Sequence, residues 1–443
     1  MLKFGTDGVR GVANLDLTPE VVLALGRAAA RVLPSWRFVV GRDTRRSGPL
    51  LEAALVAGLT AEGADVVLLG VAPTPAIAWV AARETIAGAV ISASHNPFED
   101  NGVKLFGPGG KKLDDDTEAA LERELHSLLR HEASGDPRTG DAIGTVIDGS
   151  GEVARWMQSV ADSMDGRRLD GLRVVVDCAN GAASRVGPAL LRSLGAEVTV
   201  LHDEPDGTNI NAGCGSTHPG DLQAAVLAGG AAAGIALDGD ADRALAVDAT
   251  GRLIDGDQII AIAAIDRRDA GTLVDDTVVV TVMTNLGFRL GMSEHGIRVL
   301  EVPVGDRYVL EALDGGGFSL GGEQSGHVIF ADRATTGDGL LTAVQLLDVM
   351  ARSGRPLAEL ADASMTRLPQ VLRNVRVARG AADAGLALAD DVARAELELG
   401  DHGRVLIRAS GTEPLVRVMV EAPTAEQATA VADRLAAAVA SLG

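Results

Sequence analysis

Aromatic residues are scarce in this chain of 443 residues, 2% in all, with one tyrosine and three tryptophans. Stacking platforms of the kind that hold single-stranded nucleic acid or large glycan surfaces are therefore hardly available, and a polar small-molecule pocket fits better. Cysteine is scarcer still. Cys178 and Cys214 stand in unrelated contexts without metal-ligand spacing, and no charged segment followed by an apolar one opens the chain, which together predict a reducing cytoplasm. Long apolar runs are missing too: the 47% hydrophobic content is inflated by alanine, and no run approaches the roughly 20 residues of a spanning helix. A soluble protein is expected. Positive charge is in deficit, with 40 basic against 61 acidic residues and a net charge of −21. Such a chain repels polyphosphate backbones, so any anionic ligand must meet local basic residues.

What the chain does contain is a repeat. A strand, a turn-rich loop, a helix and a second strand recur three times, starting at Phe38-Val39-Val40, Val174-Val175-Val176 and Val278-Val279-Val280. Each copy adds a helix and a third apolar strand, over Ala87–Ile91, Ala233–Leu237 and Phe318–Leu320. Each third strand empties into a polar loop: Ser92 to Pro97, Asp238 to Arg243, and Gly322 to His327. Since α/β sheets bind ligands beyond the carboxyl ends of their strands, the three loops are expected to face one cleft. After Leu368 the pattern changes to two strands, Gly403–Ile407 and Leu415–Val420, and an alanine-rich helix. The predicted architecture is three related α/β domains with mixed sheets plus a smaller C-terminal α+β domain around a central cleft, over residues 1–150, 151–251, 252–366 and 367–443.

The loops carry the chemistry. Ser94 and His95 place a hydroxyl beside an imidazole, which suits a nucleophile but equally an ordinary turn. Asp238, Asp240 and Asp242 alternate, so a curved loop aims three carboxylates at one point, a cage for a hard divalent cation such as magnesium or else a solvated acidic turn. An EF-hand calcium loop is excluded because Ala249 stands where the bidentate glutamate is required. Arg243 adjoins the triad and suits a phosphate. Glu323 and Ser325 offer an acceptor and a hydroxyl for vicinal sugar hydroxyls, with His327 as ligand contact or proton carrier. Arg408, Ser410, Gly411, Thr412 and Arg417 read as a phosphate cradle or as a plain hairpin turn. Arg10, in the glycine-rich stretch Gly5 to Gly11, is another phosphate ligand candidate, and Lys104 a general acid or base or a surface lysine.

Taken in this order, the four loops resemble the α-D-phosphohexomutase superfamily. Gly5 to Gly11, Asn209-Ile210-Asn211, Cys214 to His218 and Gly322 to His327, with glutamine at 324, are similar to its bacterial phosphoglucosamine mutases. The resemblance covers nearly the whole chain; its least diagnostic segments are residues 111–149 and 379–400, which yield only composition. It implies that Ser94 carries a phosphoryl group, that Ser94 with the three aspartates holds one magnesium ion, and that Glu323 and Ser325 grip sugar hydroxyls. Arg408, Ser410, Gly411, Thr412 and Arg417 would then anchor the non-transferring phosphate. The implied reaction interconverts glucosamine 6-phosphate and glucosamine 1-phosphate through a 1,6-bisphosphate, with a hexose 1,6-bisphosphate as activator, and supplies UDP-N-acetylglucosamine for cell-wall synthesis. The implied partner is a small phosphosugar, with no nucleic acid or membrane, and a chain that is monomeric or homodimeric.

Rival readings are a related phosphomannomutase or phosphoglucomutase, a phosphatase with Asp238 as aspartyl nucleophile, a serine hydrolase, and a non-catalytic sugar-phosphate sensor. Adjacent Ser94 and His95 seldom align for hydrolase chemistry, and the phosphatase leaves the serine and phosphate loops without a role.

Overall fold

The computed structural model describes residues 8–130, 136–377, 387–409 and 415–441. The chain divides into two compact units, one built from residues up to Val282 together with Ile297–Ala361, the other from Met283–Gly296 with residues from Asp362 onward.

The larger unit contains three sheets. The first comprises β1 (Val9–Val12), β2 (Arg37–Arg42), β3 (Asp65–Val71), β4 (Ala87–Ile91), β5 (Asp100–Phe106) and β6 (Val146–Asp148), in the order β1-β5-β4-β2-β3-β6. The second comprises β7 (Arg173–Asp177), β8 (Glu197–Leu201), β9 (Ala233–Leu237), β10 (Ala244–Asp248) and β11 (Leu253–Ile254), in the order β11-β10-β9-β7-β8. The third comprises β12 (Thr277–Thr281), β13 (Arg298–Val302), β14 (Leu320–Gly322) and β15 (Val328–Phe330), in the order β13-β12-β14-β15. In each, two crossovers make three parallel strands, and a hairpin then returns a fourth strand antiparallel to the third. The repeat read from the sequence thus has one more strand than expected. The difference matters, because the polar loop after each third strand is the hairpin loop that carries the candidate chemistry. The third strand of the last copy begins at Leu320, where Phe318–Leu320 was expected.

Continuous apolar runs suit this arrangement because central parallel strands are covered on both faces. Residues 87–91 of β4 and 233–237 of β9 are buried throughout. Local signals fix the flanking helices. Thr18 caps the helix Pro19–Val32, with proline in its first turn. That helix packs against Gly48–Ala61 at Gly26 and Gly58. A β-carbon on either would lie 2.4 Å from Leu55 O or 2.2 Å from Leu23 O, so only glycine permits the approach. Asp114 caps the helix Asp115–Leu129, which composition alone did not reveal. No helix among the described residues is long and apolar enough to cross a membrane.

In the smaller unit, β16 (Gln370–Arg376), β17 (Arg404–Ala409) and β18 (Leu415–Glu421) form an antiparallel sheet in the order β16-β18-β17. The helix Ala425–Ala440 packs on it through Ala428, Val431, Leu435 and Val439. The helix Leu286–Glu294 also belongs to this unit, although its sequence lies within the third repeat. Gly287 and Gly291 let it approach Thr366 and Ser364 backbone to backbone, and the buried Glu421 carboxylate accepts the Leu286 N–H at 3.0 Å and pairs with Arg404 at 2.9 Å.

Candidate active site

The hairpin loops of the three sheets in the larger unit meet. Ser94 sits in the β4–β5 hairpin in a left-handed conformation, φ 52°, which costs a non-glycine residue roughly 1–2 kcal/mol. Its N–H donates to Ser92 Oγ at 2.9 Å, and its hydroxyl donates to Asp238 Oδ2 at 2.6 Å. The β9–β10 hairpin comes so close that a β-carbon at Gly239 would lie 2.6 Å from the Ser94 carbonyl. Glycine between the first two aspartates is thus a steric requirement of the contact.

Asp238, Asp240 and Asp242 are all buried, and one carboxylate oxygen of each lies within 4.8 Å of the others. Asp240 Oδ2 accepts Thr74 Oγ1 at 2.7 Å and Lys104 Nζ at 2.8 Å, and Lys104 reaches Asp242 Oδ2 at 3.2 Å. Oδ1 of Asp240 and of Asp242 have no hydrogen-bond partner among the described residues. Burial pushes the Asp238 carboxyl well above the usual range, and its two sister aspartates push the same way. Burial would also raise Asp242, but Lys104, then His327 and Arg243, hold it well below. Three buried carboxylates with two orphaned oxygens need more positive charge than one lysine brings, and an all-oxygen donor set fits a hard divalent cation.

His95 Nδ1 lies 3.5 Å from Ser94 Oγ and 3.4 Å from Arg243 Nη1. Burial, then the charges of Arg243 and Arg10, lower its pKa, so the ring is neutral near pH 7. Arg10, on β1, faces Gly102 of β5 in the strand register. Lys104 is a β5 residue whose ammonium is almost fully buried, so its surface reading is overturned.

His327 lies beside the aspartate loop. It is 2% exposed, accepts the Gly337 N–H at Nε2 and points Nδ1 toward Asp242 Oδ2 at 3.7 Å. Burial alone would lower its pKa, but Asp242, Asp306 and Glu323 together raise it. Glu323 is half-buried and accepts the Gly305 N–H at 3.2 Å, while Ser325 Oγ has no partner among the described residues. The third hairpin joins the second through Ala244 N–H to Gly326 O at 3.0 Å. In the smaller unit, Arg408 and Arg417 stand directly opposite each other on β17 and β18, and Arg408 has its pKa lowered by burial and by Arg417. Opposed like charges are unfavourable unless an anion joins them. Ser410, Gly411 and Thr412, like Gly5 to Asp7, lie outside the described residues.

Sequence reasoning missed the support beneath the serine. Arg45, wholly buried, donates from Nε to Asp43 at 2.8 Å, from Nη2 to the carbonyls of Ser94 and Asn96 at 2.9 Å each, and from Nη1 to Asp100 O at 3.0 Å and to Pro97 O. Asp43 in turn accepts Ser92 Oγ at 2.6 Å, and Asn211 Nδ2 donates to Ser94 O at 2.8 Å. The available signal was position: Asp43 and Arg45 follow β2, at the carboxyl end of a central strand like the other functional loops. A cavity of about 470 Å³ beside Trp79, Trp156 and Asp338 lies on other residues than this constellation.

A serine hydroxyl on a buried carboxylate triad, with flanking cations, on a repeated α/β frame is an arrangement suited to phosphoryl transfer. The chain matches the four domain profiles of phosphoglucomutase/phosphomannomutase: alpha/beta/alpha domain I over residues 1–131, domain II over 154–251, domain III over 255–368 and the C-terminal domain over 372–438. It belongs to this family and is an intramolecular phosphotransferase. Two relatives named phosphoglucosamine mutase, from Frankia casuarinae and Saccharopolyspora erythraea, are each 57% identical, covering 98% and 99% of this chain and 97% and 99% of theirs. Among solved structures, a phosphoglucomutase/phosphomannomutase family protein of Burkholderia thailandensis superposes with TM-score 0.84 at 27% identity, covering 100% of this chain and 99% of that one. The fold is shared with the Aspergillus fumigatus N-acetylphosphoglucosamine mutase solved with GlcNAc-6P and magnesium, at TM-score 0.73 and 21% identity, covering 100% of this chain and 96% of that one.

Proposed function

We propose that the chain interconverts glucosamine 6-phosphate and glucosamine 1-phosphate through a phosphorylated Ser94 and a 1,6-bisphosphate, in the cytoplasm, upstream of UDP-N-acetylglucosamine and cell-wall synthesis. The observation that carries the reading is Ser94 Oγ held 2.6 Å from Asp238 within the three-aspartate cluster. The 57% identity to full-length phosphoglucosamine mutases supports the choice of substrate.

Ser94, Asp238, Asp240 and Asp242 would hold magnesium, which when bound supplies positive charge against the phosphoryl oxygens. In the forward half, the phosphorus–Oγ bond of phosphorylated Ser94 breaks and a bond to a sugar hydroxyl oxygen forms. Lys104 gives an ammonium proton to Oγ, which ends as the seryl hydroxyl, and takes the sugar hydroxyl proton in its place. The bisphosphate then turns round, and the reverse transfer rephosphorylates Ser94 from the other end of the sugar. Lys104 is the proton carrier. Arg10, His95 and Arg243 contact the transferring phosphoryl group, and His327 positions Asp242. Glu323 and Ser325 take sugar hydroxyls; Arg408, Ser410, Gly411, Thr412 and Arg417 take the non-transferring phosphate. A hexose 1,6-bisphosphate primes Ser94. The work divides among domains 1–150, 151–251, 252–366 and 367–443.

Peptide mass spectrometry after incubation with a hexose 1,6-bisphosphate and magnesium tests the mechanism: phosphate on Ser94 is expected, and phosphate on Asp238 overturns it in favour of an aspartyl nucleophile. Phosphorus NMR on glucosamine, glucose and mannose 6-phosphates tests the substrate, and a preference for mannose 6-phosphate overturns it.

A further inference from the structure

We propose that Asp177, His202 and Cys214 form a second cation site, in the second sheet, that takes a thiophilic divalent metal of the zinc class. The fold assembles the site from three places. Asp177 ends β7, His202 follows β8, and Cys214 precedes the short turn Gly215–Thr217. Because β7 and β8 run parallel with Asp177 opposite Leu201, the aspartate and the histidine emerge side by side. One donor atom from each of the three residues lies within 4.8 Å of the others. A thiol, an imidazole and a carboxylate make a donor set unlike the all-oxygen triad of the active site. Hard magnesium prefers the latter, and softer ions take sulfur and nitrogen, so the two sites select different metals.

The imidazole is posed for this role. Its Nε2 lies 3.3 Å from Asp221 Oδ2 and its Nδ1 3.1 Å from Asp177 Oδ1, yet Nδ1 makes no hydrogen bond among the described residues. Both ring nitrogens thus face carboxylate oxygens, Nδ1 that of Asp177 and Nε2 that of Asp221. A cation seated between Nδ1 and Asp177 would take both as ligands. Metal-bound histidines characteristically hand their other N–H to a carboxylate in this way. The backbone at His202 is left-handed, φ 50°, a conformation that tertiary contacts must impose. Asp177 is equally fixed, accepting Ala179 N–H at 2.9 Å and Gly215 N–H at 2.8 Å.

Asp177 and Cys214 are fully buried, whereas the His202 side chain is 26% exposed and Asp221 69%, so an ion enters past the imidazole. Zinc–sulfur and zinc–nitrogen bonds of about 2.3 and 2.0–2.1 Å require the donors to draw together by roughly 1 Å, and the partly exposed histidine supplies that movement. Binding replaces the thiol proton of Cys214 by the metal and releases it to solvent, leaving one metal–sulfur bond and one proton per ion bound. Between His202 and Cys214 lies Asn211, whose side chain supports the carbonyls of Ser94 and Asn96 at 2.8 and 3.1 Å. The ion therefore clips the segment from which Asn211 reaches the serine loop.

Cobalt titration of the full chain, reduced and saturated with magnesium, tests this. A thiolate-to-cobalt charge-transfer absorption that saturates at about one ion per chain and is displaced by zinc is expected. It should persist in C178S, disappear in C214S, and require about 10- to 100-fold more cobalt in D221N. No such absorption in the wild type, or its survival in C214S, overturns the proposal. Should C214S fail to fold, H202A decides, since an undiminished absorption in it is equally fatal.

Discussion

Replacing Arg45 by methionine roughly keeps the side-chain volume and removes the guanidinium from beneath the serine loop. The Arg45–Asp43 pair is wholly buried, and removing one partner of such a pair costs about 3–5 kcal/mol. The lower end applies here, because Asp43 retains the Ser92 hydroxyl and the Arg45 N–H, and the carbonyls of Ser94 and Asn96 retain Asn211. We expect R45M to lose about 3 kcal/mol, and R45K, whose ammonium offers three N–H groups where the guanidinium makes five bonds, about 2 kcal/mol. The three tryptophans, Trp36, Trp79 and Trp156, all belong to the larger unit, so urea unfolding followed by tryptophan fluorescence reports on that unit alone. Turnover should suffer as well. Without its anchor the left-handed backbone at Ser94 relaxes, and a displacement near 1 Å at a nucleophile costs about 100-fold in kcat. A stability loss under about 1 kcal/mol for R45M, or wild-type kcat in that variant, refutes the reasoning.

Ser94→Ala should abolish turnover while shifting the urea midpoint by less than the equivalent of about 1 kcal/mol, since the loop keeps its Arg45 and Asn211 supports; residual activity near wild type contradicts the phosphoserine. Removing magnesium with a chelator should end turnover, and adding it back at 100 times its dissociation constant should raise stability by about 2.7 kcal/mol; an equal rise in D240N denies the triad its role. Burial pushes the Asp338 carboxyl up to about 7, against the Leu341 N–H and the Trp156 indole that favour ionisation. An unfolded aspartate titrates near 3.9, so the folded protein keeps a proton that the unfolded chain has lost. Asp338 then contributes stability below about pH 4, loses it progressively as pH rises to about 7, and is flat beyond. The fluorescence-detected stability of wild type should therefore fall relative to D338N between pH 4 and 7, and parallel profiles would be incompatible with this.

The parallel strands were legible because buried central strands must be apolar throughout, and Phe38-Val39-Val40, Val174-Val175-Val176 and Val278-Val279-Val280 leave little else for those segments to be. The aspartate loop was legible because closely spaced carboxylates rarely follow such a strand without a cation to meet. The returning strands were not. Asp100–Phe106 mixes polar and apolar residues, and only the pairing of Lys104 opposite Val90 draws its ammonium into the aspartates. Arg45 was hidden for the same reason. An arginine in a polar turn looks solvated, and its burial is decided by a loop 49 residues away. The cysteines seemed unrelated because Cys214 lies near Asp177 at the end of β7 and His202 just beyond β8 rather than near the other cysteine.

The helix Leu286–Glu294 has a history as well as a place. Leu286, Phe288 and Met292 are buried in the smaller unit, but Glu421, which takes the Leu286 N–H, is synthesised about 130 residues later. At roughly 5–20 residues per second the nascent helix waits some 7–27 seconds for that partner. For that interval the Leu286 N–H is without its carboxylate. The cap of this helix is thus made late in synthesis, by a residue far along the chain.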